Sequence, residues 1–140
     1  MPAPQTDIDV VDVIDGAVGS LSKGVNLFAG PTRDYSLNSS IPHRAVFVLA
    51  DGGDLSSPIK GTADERHPYV SIRVRSDPES SASAFQLGQV LAREVYDAID
   101  QSPPAGYIDS RTLGSQPTYI GPDDDGHHEW LITVSLTVDV

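Results

Sequence analysis

Trp130-Leu131-Ile132-Thr133-Val134-Ser135-Leu136-Thr137-Val138-Asp139-Val140 closes the chain, and its reading decides the fold. Trp130, Ile132, Val134, Leu136, Val138 and Val140 alternate with Glu129, Thr133, Ser135, Thr137 and Asp139. A period of two places all the apolar members on one face of an extended strand. A strand this long with one apolar face requires partner strands beside it and a covering layer above it. Trp130 opens the core face and is expected to be buried. Leu131 alone breaks the polar face, and a large apolar side chain there is a candidate contact.

Working backwards, Tyr69–Arg75 repeats the pattern. Val70, Ile72 and Val74 face one way, and Ser71, Arg73 and Arg75 the other. Arg73 and Arg75 are therefore candidates to meet an acidic partner, or else the wet side of a sheet. His43–Leu49 is short, apolar and rich in strand formers. Asn26–Ala29 reads as a short strand ended by Gly30-Pro31. Tyr107–Leu113 and Pro117–Ile120 read as two more, and Asp123-Asp124-Asp125-Gly126 as the hairpin turn into the last strand. Residues 31–42 are polar and read as a loop. Asp51 to Pro68, with Gly52-Gly53, Pro58 and Gly61, has no period and reads as one long loop.

Two stretches carry a helical period instead. Ile8, Val11, Ile14, Val18 and Leu21 predict a helix from about Asp7 to Leu21, with Thr6 as its N-cap and Gly24 as its stop. Asp77 as cap and Pro78 at the first position predict a second, whose stripe is Ala84, Leu87/Gly88, Leu91, Val95 and Ile99 and which Pro103-Pro104 closes. Gly88 in its middle costs about 1 kcal/mol relative to Ala, which suggests close packing against the sheet. The order is α-β-β-β-α-β-β-β. It predicts one α+β domain over residues 1–140, a mixed or antiparallel β-sheet flanked by two α-helices.

Composition bounds the chemistry. Twenty Asp and Glu against nine Lys and Arg give a net charge of −11, which disfavours wrapping DNA because that affinity comes from cations on phosphates. The absence of cysteine excludes disulfides, thiolate metal sites and a cysteine nucleophile. No run approaches the roughly 20 apolar residues of a membrane span, and no signal region opens the chain, so no membrane partner is expected.

Asp123–Glu129 holds metal-ligand types, Asp123-Asp124-Asp125-Gly126-His127-His128-Glu129, but with poor spacing. The acids are consecutive where a calcium loop alternates them, and adjacent histidines on a strand face opposite ways. The expectation is a solvated turn, with neither metal nor cofactor. There is no Gly-x-Ser-x-Gly elbow, and His43 and His67 have no acid-base partner nearby in sequence. No catalytic residue emerges. A small metal-dependent enzyme or a ligand-binding module remain the alternatives from other classes.

Taken together and in order, several pieces resemble a family. They are an N-terminal helix leading to Asn26-Leu27-Phe28-Ala29-Gly30-Pro31; the strand Tyr69–Ser76 followed by a helix ending Val95-Tyr96-Asp97-Ala98-Ile99-Asp100; and Pro117-Thr118-Tyr119-Ile120-Gly121-Pro122 before the acidic turn and the strand opened by Trp130. The chain is similar over nearly its whole length to the tail terminator and minor capsid (neck) proteins of long-tailed bacteriophages. The resemblance implies a sheet flanked by two helices and a homo-hexameric ring that caps the finished tail tube. That ring would meet the tube protein on one side and the head-side connector or stopper on the other, with DNA crossing its pore without specific binding. It implies a virion neck location, synthesis in the host cytoplasm and no catalytic residues. A head-completion or stopper protein is the nearest alternative. The 51–68 loop departs from the family pattern.

Overall fold

The computed structural model describes residues 5–30, 42–55 and 65–139. In chain order the elements are α1 (Thr6–Ala17), β1 (Leu27–Ala29), β2 (Ala45–Leu55), β3 (Glu65–Pro78), α2 (Ala84–Ile99), β4 (Asp109–Thr112), β5 (Thr118–Pro122) and β6 (His127–Asp139). The order is the one expected, and the class is α+β. Six strands form one mixed sheet in the order β1-β2-β3-β6-β4, with β5 also paired to β6. β1 runs parallel to β2, and the other pairings among these strands are antiparallel.

β6 is the organising element. Its first half pairs with β5 and its second half with β4, while β3 lies along its other edge. Trp130, Ile132, Val134, Leu136 and Val138 are all buried, as their alternation predicts. Val70, Ile72 and Val74 of β3 and Val46 and Val48 of β2 extend the same apolar surface. Both helices close over that one face. α1 lies over β1 and β2 and α2 over β3 and β6, contributing Val10, Val11, Ile14, Leu91, Val95 and Ile99 to a shared core. Each such side chain contributes about 1.5–3 kcal/mol on full burial.

Several boundaries differ from the sequence reading. α1 ends at Ala17, and Val18 is already extended, although Val18 and Leu21 remain buried beyond the helix. Thr6 is the first helical residue and no side chain caps the helix. The inward stripe runs through Val10, leaving Ile8 exposed. α2 starts later than Asp77-Pro78 suggested, because β3 keeps pairing with β6 as far as Pro78 opposite His127. The Asp77 carboxylate accepts from Arg44 at 3.1 Å instead of capping a helix. Leu87 is exposed, so Gly88 alone holds that position of the stripe. A Cβ on Gly88 would fall 2.6 Å from Trp130 Cζ3 and 2.7 Å from Ser76 Cβ; the glycine lets helix and sheet touch.

The expected loop at 51–68 is shorter. Residues 51–55 continue β2 and 65–68 begin β3, paired across a register shift between Ala50 and Gly53. Gly52, with φ of +74°, supplies the backbone conformation there that other residues avoid. Residues 56–64, like 31–41 of the other expected loop, lie outside the described residues.

Candidate assembly surface

With both helices on one face, the other face of the sheet presents the odd-numbered residues of β3 and β6. Arg73 lies there as expected, its side chain 45% exposed, and donates to Glu129 Oε2 at 2.8 Å. Leu131 sits between Arg73 of β3 and Thr118 of β5 and is half-buried.

Arg75 is different. It is buried, donates from Nε to the His43 carbonyl at 2.7 Å and from a terminal nitrogen to the Pro42 carbonyl at 2.8 Å, and packs 5.4 Å from the centre of the Phe47 ring. Burial pulls its pKa down, opposed by the charges of Asp123, Glu129 and Asp125. Arg75 is thus a structural tie holding the entry to β2, a role the alternation of β3 did not show.

The turn before β6 is more tightly built than a solvated hairpin. His127 is buried and His128 faces the other way, as a strand requires. Asp123 accepts from the backbone N–H of His127 and of Asp125, each at 2.9 Å, and lies 3.1 Å from His127 Nδ1. Burial pushes the Asp123 carboxyl up, but the His127 backbone and ring and the Asp125 N–H outweigh it and hold the group below its ordinary value. The other ring nitrogen of His127 is 3.0 Å from His43 Nδ1. Sequence could not pair these rings, which are 84 positions apart.

Asp123, Asp125 and His127 bring one ligand atom each to within 4.8 Å of one another. A cation there would compete with the N–H groups already on Asp123 and with the nearby charge of Arg75. As an acid-base array, the line Asp123–His127–His43 has no hydroxyl hydrogen-bonded to either ring among the described residues.

A second surface lies at the β5 edge, and the sequence reading passed over it. Phe85 of α2, Tyr119 of β5, and His128 and Trp130 of β6 form one cluster. Phe85 sits 5.3 Å from each of the other three rings, centre to centre. The Tyr119 hydroxyl is 2.8 Å from His128 Nδ1. Trp130 is buried beneath, whereas Phe85 and Tyr119 are 40% and 44% exposed; Val90 of α2 and Ile120 of β5 are exposed as well. A shallow cavity of about 280 Å³ between Gln89, Val90, Arg93, Gln116 and Pro117 adjoins Trp130. The one available signal was Phe85 and Val90 standing off the buried stripe of α2.

At the level of sequence, no family profile and no curated protein matches this chain. Its fold is similar to that of a chain in the structure "Virion of native gene transfer agent (GTA) particle", with a TM-score of 0.60 over 96% of this chain and 94% of that chain, at 11% identity.

Proposed function

We propose that this protein is a structural component of a phage-type virion and that, as one domain, it caps a finished tail tube. The observation that carries the reading is the likeness in fold, over 96% of this chain, to a chain of a virion particle. The ordered sequence features shared with tail terminators support the finer role. In that role copies of the chain form a ring, homo-hexameric by the resemblance. One side of the ring stops tube growth and the other receives the head-side connector or stopper.

The net charge of −11 suits a ring through which DNA passes without adhering, since like charges repel at short range and cations are too few to neutralise phosphates. The protein acts in the neck of the particle after synthesis in the bacterial cytoplasm. It works by shape and contact, with no bound cofactor in its task.

Disrupting the gene and imaging the particles tests this. Overlong, irregular tails detached from heads are expected. Tails of normal length beside heads that leak DNA would move the assignment to a head-completion or stopper role, and intact infectious particles would overturn both.

A further inference from the structure

Asp123, His127 and His43 form a line that runs from the interior to the surface. His127 Nδ1 lies 3.1 Å from Asp123 Oδ2, and its Nε2 lies 3.0 Å from His43 Nδ1. His127 is buried, whereas His43 is exposed. The two rings stand 5.1 Å apart, centre to centre, and are tilted by 31°.

The backbone of each histidine is fixed. The His127 N–H donates to Asp123 Oδ1 at 2.9 Å, and β6 pairs this residue with Pro78 of β3. The His43 carbonyl accepts from Arg75 Nε at 2.7 Å. A carboxylate beside His127 Nδ1 keeps a proton on that nitrogen and leaves a lone pair on Nε2. The exposed His43 ring can donate Nδ1–H to this lone pair, or in its other tautomer turn a second lone pair toward it.

We infer that His127 Nε2 and His43 Nδ1 together form a site for one divalent transition-metal ion of the zinc class, with Asp123 orienting His127 from behind. Imidazole nitrogens suit such ions, whereas magnesium and calcium prefer oxygen. Zinc–nitrogen bonds of about 2.0–2.1 Å at a tetrahedral angle set two nitrogens roughly 3.3–3.4 Å apart. The observed 3.0 Å needs only a small turn of the exposed ring to match, and water completes the shell on the open side. An ion held by Asp123, Asp125 and His127 would displace the N–H groups on Asp123; one at Nε2 leaves them in place. Charge favours it too. Asp123, Glu129 and Asp125 act on Arg75 and Glu129 also meets Arg73, so two guanidiniums face three carboxylates. The spacing within 123–129 argues against a metal, but the second imidazole comes from 84 positions away. The ion would brace β6 against the entry to β2 and take no part in a reaction, and the inference is independent of the capping role.

Titration calorimetry of the untagged chain with zinc chloride tests it, with the melting temperature followed alongside. One ion per chain is expected, with half-saturation below about 0.1 mM and a raised melting temperature. Magnesium and calcium chloride are expected to change neither. His43→Ala, at an exposed position, is expected to fold as the native chain does and to lose at least about 10-fold in zinc affinity. Asp125→Asn is expected to bind zinc as the native chain does. No binding up to about 1 mM zinc would mean that the rings share a hydrogen bond and nothing more, and would overturn the inference. Undiminished binding by His43→Ala would overturn it as well, and loss on Asp125→Asn would put the ion on the acidic turn instead.

Discussion

At the scale of single residues, the backbone and the nearest atoms decide the sign of a change. Gly88→Ala favours the helix by about 1 kcal/mol, but its Cβ has no room against Trp130 and Ser76. Overpacking of this kind costs roughly 1–3 kcal/mol, so a net loss is expected in the urea midpoint. Gln101 has φ of +57° just past the end of α2, a conformation that costs a non-glycine residue about 1–2 kcal/mol. Gln101→Gly is therefore expected to raise stability by roughly 1 kcal/mol, read as a higher urea midpoint. The Asp123 carboxyl is held below its ordinary value in the fold, so its contribution is full above the unfolded pKa and is lost as pH falls through the folded one. Stability of the native chain should drop on acidification below about pH 4, and Asp123→Asn should flatten that limb while lowering stability at pH 7.

The elements differ in how much rests on each. β6 is paired along both edges and supplies five buried side chains to the core. Ile132→Ala in its middle is expected to cost about 2–5 kcal/mol, read by denaturant unfolding with the slope unchanged. The helix-free face is unequal too. Arg73 is half-exposed and pairs with one carboxylate, whereas Arg75 ties β3 to Pro42 and His43, ahead of β2, through their carbonyls. Arg75→Ala should cost roughly 2–3 kcal/mol and more than Arg73→Ala. The reverse order would mean that Arg75 is no tie.

For the whole molecule, charge sets the response to solution conditions. The ion pairs Lys23–Asp12, Arg93–Asp97 and Arg111–Asp109 are exposed and contribute little, whereas a net charge of −11 repels itself throughout. Raising sodium chloride from about 0.02 to 0.5 M shortens the screening length from tens of ångströms to a few. The melting temperature of the monomer is expected to rise over that range. A fall would mean that the pairs outweigh the self-repulsion.

The sequence by itself determined the class, the order of elements and the inward face of each long strand. A period of two is local, and burial of β3 and β6 follows it without exception along Val70–Val74 and Trp130–Val138. The turn at 123–126 was legible for the same reason. Tertiary structure decided what depends on pairing at a distance. β3 runs on through Asp77-Pro78, despite their helix-start chemistry, because β6 lies alongside to bond with it. β2 and β3 extend into a stretch without period because a pair of strands needs only backbone partners to continue. The burial of Arg75, the meeting of His43 with His127 and the ring cluster at β5 all join segments remote in the chain. Periodicity says which face of an element turns inward, but only the packed sheet says which elements become neighbours.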